Sequence, residues 1–139
     1  MSFCSDNYPD DPSISDSTNL LRRIPVWHVH FDKNLGRWRP SSAAFQDDGD
    51  DDPMSVYLSS VLASENREPS TVLAGHAEYS LASFTAGLAR TNNQTVHPKP
   101  EPNETAHALI CGDKGGSSKR APKRQFAQNA EWIVLKPPS

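Results

Sequence analysis

The sequence predicts a small single α+β domain, a mixed or antiparallel sheet carrying one or two helices. Three observations predict it. At 139 residues the chain suits one domain rather than two. Short apolar stretches with a period of two recur between turn-forming clusters, the pattern of half-buried strands. Helix-compatible spacing is confined to a few short stretches, and there are no internal repeats or heptads.

The elements follow in chain order. Residues 1–19 are rich in Ser, Asp and Pro, with four acids, no base and no period, so a disordered acidic tail is expected there. Leu20–Asp32 reads as one strand, with Trp27, Val29 and Phe31 inward and His28, His30 and Asp32 outward. Lys33–Gly36 is a turn. Arg37–Arg39 is extended before Pro40, and Ser41–Phe45 suits one helical turn. Asp47–Pro53 is an acidic loop. Met54–Ala63 fits a short strand running into a helix that ends near Asn66. Thr71–Ala74 is a further strand. Tyr79–Arg90 fits either a strand or a helix; Leu81, Phe84 and Leu88 suit the helix, and Gly87 weakens it. Residues 91–105 form a proline-spaced connection. Residues 106–112 are a buried strand, 113–118 a flexible loop, Ala121–Glu131 a helix with Pro122 in its first turn, and Trp132–Leu135 a last strand. The folded domain is expected over residues 20–136.

Composition narrows the function. No apolar run approaches the ~20 residues that span a bilayer, so no membrane partner is expected. A basic segment followed by an apolar one is absent at the N-terminus, so no secretory signal is read there. With Cys4 in the tail and Cys111 in a buried strand, the two cysteines are expected to stay apart, and a reducing, cytoplasmic compartment is the simplest reading. Asn93-Gln-Thr95 and Asn103-Glu-Thr105 spell glycosylation sites without a signal to use them.

The net charge of −3 hides an alternation. Residues 20–45 are basic through Arg22, Arg23, Lys33, Arg37 and Arg39; 46–69 are strongly acidic; 105–139 are basic again. Two outcomes are open: acidic segments lie over basic ones, or the two basic segments meet and hold an anion.

Four constellations carry chemistry. His28, His30 and Asp32 at alternate strand positions have spacing that permits a metal, with His107 or His76 to complete the shell, but no second paired cluster accompanies them. They are read as an outer face, and no metal or cofactor is predicted. Asp47–Pro53 fails as a calcium loop, because the twelfth position is Leu58 or Ser59 and not Glu. Residues 112–124 (GDKGGSSKRAPKR) join a strand to a helix, and Lys114, Lys119, Arg120, Lys123 and Arg124 are the candidate anion-binding set. They lack Walker A and dinucleotide-loop spacing.

The fourth constellation runs through Arg22 and Arg23, Arg37-Trp-Arg39, Ser41-Ser42, Val56-Tyr57-Leu58 and Glu65. Its order of polar residues is similar to that of the ADP-ribosyltransferase and RES-toxin families. That resemblance implies an NAD- or nucleotide-processing enzyme, with arginine on a pyrophosphate and an aromatic ring on nicotinamide. Its catalytic set would be Arg22, Arg23, Arg39, Ser41, Ser42, Tyr57 and His107. A second resemblance covers most of residues 20–136. The runs 36-GRWRPSSAAF-45, 54-MSVYL-58 and 106-AHALICG-112 look like a group of small uncharacterised bacterial proteins, which implies a bacterial source and one domain but transfers no activity. The expectation is therefore a small cytoplasmic binding or accessory module whose basic surface engages a phosphate-bearing ligand, nucleic acid or an acidic protein, with the NAD-type enzyme as the alternative.

Overall fold

Alternation along the first strand, β1 (Asn19–Ile24), sorts the whole domain into two cores. Leu20 and Ile24 face one side and Leu21 the other, all nearly inaccessible. The further strands are β2 (Val29–Asp32), β3 (Arg37–Pro40), β4 (Met54–Leu58), β5 (Ser80–Thr85), β6 (Thr95–Pro98), β7 (His107–Cys111) and β8 (Glu131–Val134). The helices are α1 (Phe3–Asn7), α2 (Ser59–Ser64), α3 (Ala86–Thr91) and α4 (Pro122–Asn129). This computed structural model describes residues 3–139. Six strands form one sheet in the order β6-β7-β4-β1-β5-β8, every neighbouring pair antiparallel, and β2 and β3 form a separate hairpin. The fold is the small α+β domain the pattern predicts.

One face of the sheet packs Leu20, Val56, Phe84 and Ile110 against Phe45 and Phe126 of α4. Phe84 and Phe126 stack at 4.6 Å, and Phe45 meets both rings edge-on. The other face packs Leu21, Tyr57 and Leu81 under Leu62 of α2 and under Val72 and Leu73 of the 3₁₀ helix Pro69–Leu73.

Several expectations are corrected. Leu20–Asp32 is not one strand. Pro25 has no N–H for a ladder, and the chain turns through a 3₁₀ helix, Val26–His28, before β2. The inferred burial of Trp27 and Phe31 fails with it: they are 63% and 49% exposed, and Val29 alone of the three is buried. Thr71–Ala74 falls at the end of a 3₁₀ helix, which Pro69 opens. Tyr79–Arg90 divides in two, a buried strand and then α3, at Thr85, whose side chain accepts from the Leu88 N–H as an N-cap. The proline-spaced connection contains a strand, β6.

The largest correction concerns the N-terminus. Residues 1–2 lie outside the described residues, but 3–19 are tied to the domain and are not a disordered tail. Cys4 and Cys111 form a disulfide, so the cysteines do meet. Residues 8–11 run along the exposed edge of β6: the Asp11 N–H donates to Val96 O, the Asp10 carboxylate accepts from the Val96 N–H, and Thr95 Oγ1 donates to Tyr8 O. That covers an otherwise open sheet edge. Arg90 then grips the segment, donating to Asp10, Asp16, Asp11 O and Ile14 O. Gly87 explains itself here. Asp16 lies so close that a Cβ on residue 87 would stand 3.2 Å from its carbonyl oxygen.

The disulfide closes a long loop, with a sequence separation of 107 in a chain of 139 residues. In the chain-entropy account a loop of ~100 residues stabilises by about 4–5 kcal/mol. Urea unfolding of oxidised and reduced protein should differ by roughly that amount; equal midpoints would show that the closure carries no stability.

Candidate functional site

Two polar cavities collect the residues singled out from the sequence. The first, of about 690 Å³, lies between the β2–β3 hairpin and α4. The hairpin turns at Gly36, whose φ of 67° suits glycine, and Asp32 Oδ1 accepts from the Asn34 and Leu35 N–H groups to close the turn. Cross-strand pairing of His30 with Arg39 and of Asp32 with Arg37 puts the polar residues along the cavity. Trp132 Nε1–H donates to Trp38 O and fastens the hairpin to β8.

Arg37 and Arg39 from the first basic segment thus share one cavity with Arg124 of α4, from the second, and Ser41, Ser42 and Gln128 line it too. Arg39 is paired with Asp32 at 2.9 Å. Arg124 Nε is buried without a hydrogen-bond partner. Three guanidinium groups against one carboxylate leave the lining net positive.

The other members of the predicted anion-binding loop stand elsewhere. Lys114 is buried, its side chain 4% exposed, with Nζ bonded to Ile110 O, Gly112 O and Asp47 Oδ1. Burial lowers its pKa, and Asp47 opposes the shift. This lysine is an internal brace with no donor to spare for an anion. Lys119 and Arg120 are exposed on the loop, and Lys123 is half-buried at the start of α4. Acidic-over-basic complementarity is therefore also real: Asp47 meets Lys114, and Asp48 meets Arg22.

His28, His30 and Asp32 do not form one strand face, because His28 belongs to the 3₁₀ helix. His28 Nδ1 bonds Ser41 Oγ at 3.1 Å, and its pKa is lowered, first by burial.

The second cavity, of about 320 Å³, opens where β1 and β4 part. Their pairing consists of Leu20 with Leu58 and Leu21 with Tyr57. Beyond it the Arg22 side chain fills the gap, donating from Nε to Ala44 O, from Nη1 to Ser55 O and from Nη2 to Gln46 O. Arg23 lies over the Tyr57 ring at 4.6 Å, pinned by Nε–H to Val72 O. Burial raises the Tyr57 pKa against the opposing pull of Arg23 and Arg22.

The register pairs Tyr57 with His107, whose rings are 6.0 Å apart. His107 Nε2 meets Ser55 Oγ at 3.0 Å, and Nδ1 faces Lys99 O at 2.9 Å and Glu101 Oε1 at 3.3 Å. So Arg22, Arg23, Tyr57 and His107 gather in one place, while Arg39, Ser41 and Ser42 line the first cavity. The serine beside His107 is Ser55, which the sequence reading passed over. The alternation of β4 puts it on the Tyr57 face, but only the β4–β7 register shows that this face meets His107.

The turn bearing Glu101 is braced from the segment that follows α2. Arg67 makes a two-pronged pair with Glu104 at 2.8 Å and also binds Glu65, which accepts from Thr105 Oγ1. Comparison with known protein families, curated proteins and solved structures finds no match to the chain.

The Glu104 carboxyl is held below its ordinary value, chiefly by hydrogen bonds from Arg67. A depressed folded-state pKa contributes stability that is present above the unfolded carboxylate value and is lost as pH falls through the folded one. Thermal unfolding followed from neutral pH into that acid window should therefore show a steeper loss for the wild type than for Glu104→Gln. Parallel curves would show that the pair adds no pH-dependent stability.

Proposed function

We propose that this chain is a binding module that engages a phosphate-bearing ligand in the cavity between the β2–β3 hairpin and α4. The observation that carries the reading is the meeting of the two basic segments, Arg37 and Arg39 with Arg124, across one concave surface. Guanidinium groups suit phosphate because their paired N–H donors match two oxygens at once. Arg124 lines this surface, where its guanidinium charge would face a bound anion. The hydroxyls of Ser41 and Ser42 add neutral donors. Lys119 and Arg120 precede this cavity's helix and Lys123 lies in its first turn; they would extend the positive field toward a longer polyanion, such as single-stranded nucleic acid or an acidic protein segment.

The NAD-type enzyme reading is weaker on this geometry, because its residues divide between the two cavities. A bacterial source remains part of the reading. The expectation of a cytoplasmic location rested on separated cysteines, and the Cys4–Cys111 bond favours an oxidising compartment instead. No helix among the described residues is long and apolar enough to cross a membrane.

Titration of inorganic phosphate, ADP and a single-stranded oligonucleotide, read by thermal shift, tests the reading. Arg124→Gln should weaken binding about tenfold or more, as expected for a charge-assisted hydrogen bond of roughly 1.5–3 kcal/mol. Oligonucleotide affinity should fall with salt, by about 0.7 in log–log slope for each neutralised phosphate. Unchanged binding in both Arg124→Gln and the Arg37→Gln, Arg39→Gln double variant would overturn the assignment, as would failure of all three ligands to bind at low salt.

A further inference from the structure

The geometry points to a second site, independent of the phosphate cavity: a serine nucleophile, Ser55, activated by His107 and directed at small carboxylic esters. Ser55 sits on β4 and lines the cavity bounded by Arg22, Arg23, Tyr57 and Tyr79. Its hydroxyl oxygen is 3.0 Å from His107 Nε2. The opposite ring nitrogen, Nδ1, faces two oxygen acceptors, Lys99 O and the Glu101 carboxylate. Two acceptors on that side place the imidazole proton on Nδ1 and leave the Nε2 lone pair toward Ser55. Carboxylate, imidazole and hydroxyl in this order make the arrangement that activates a serine for acyl transfer.

The surroundings suit the chemistry. His107 is buried and fixed between strands, so its ring cannot drift from the hydroxyl. Arg22 and Arg23 give the cavity a positive wall, which favours the oxyanion that develops as Ser55 attacks a carbonyl. A competing contact is also present: the Ser55 hydroxyl donates to Asp48 Oδ2 at 3.0 Å, so it must turn from the aspartate toward His107 Nε2 for the attack. Arg22 pairs with the other oxygen of that carboxylate at 3.7 Å.

The steps balance as ester plus water giving acid plus alcohol. Ser55 Oγ forms a bond to the acyl carbon and passes its proton to His107 Nε2. The ester C–O bond breaks, and the alcohol leaves with that proton. Water then attacks the acyl-Ser55, giving a proton to His107; the acyl–Oγ bond breaks, the acid departs, and the proton returns to Ser55. Glu101 is a positioning residue that holds the imidazole and stabilises its cationic form.

The test uses the oxidised full-length protein, p-nitrophenyl acetate as substrate and a fluorophosphonate probe with the labelled residue identified by mass spectrometry. The label is expected on Ser55, and hydrolysis is expected to fall by about 10²–10⁴-fold in His107→Gln. Ser55→Ala should abolish both readouts, whereas Ser60→Ala, exposed on α2, should change neither. Glu101→Gln alters a surface side chain and keeps the fold; it should lower kcat and leave KM unchanged, since the imidazolium formed in the step loses its carboxylate. Absence of label at Ser55 in folded protein would overturn the proposal. So would loss of activity in Asp48→Asn with full activity in His107→Gln, which would make the aspartate the base.

Discussion

The sheet is held together at its centre by one arginine. β1 and β4 join the two halves of the sheet, yet they share only the pairs Leu20–Leu58 and Leu21–Tyr57. Where the ladder stops, the Arg22 guanidinium takes over, binding a carbonyl of β4 and two carbonyls of the segment that follows Ser41. Backbone oxygens left by a broken ladder need donors, and Arg22 supplies them. Burial depresses its pKa, and Asp48 is the first of the charges that offset this. An ammonium could not serve three carbonyls in one plane in the same way.

Both cavities follow from that opening. Had β1 and β4 paired along their full length, the cleft lined by Arg23, Tyr57 and Ser55 would not open. By binding Ala44 O and Gln46 O, Arg22 also anchors the stretch that carries Phe45 into the core against Phe84 and Phe126. That packing seats α4, which brings Arg124 across from Arg37 and Arg39. The N-terminal segment closes the far edge, where Arg90 and the disulfide hold it to β6 and β7.

How much was legible in the sequence depended on range. β4 running into α2, the buried strand β7, α4 and β8 could be read because their signals are local: alternation, an apolar run, a proline at a helix start. Pro25 was the warning against one long strand over 20–32, and the alternation of Trp27, Val29 and Phe31 outweighed it wrongly. The acidic N-terminus looked disordered because its partner, Arg90, stands some 80 positions away; ion pairs at that range leave no local pattern. Gly87 was the one local trace of it, a residue poor for a helix and needed for close approach. The arginines of the first cavity were named from charge alone, but Lys114 was misjudged, since charge does not reveal burial. Ser55 was passed over because its relation to His107 exists only in the β4–β7 register.

The central claim is that Arg22 clamps the two halves of the sheet. Equilibrium urea unfolding of Arg22→Met and Arg23→Met tests it directly. Removing one member of a buried charged network costs about 3–5 kcal/mol, and Arg22→Met should lose that much. Arg23→Met, which gives up one hydrogen bond and a ring contact, should lose about 1–2 kcal/mol. An Arg22→Met protein within roughly 1 kcal/mol of the wild type, a change ordinary for any substitution, would contradict the account.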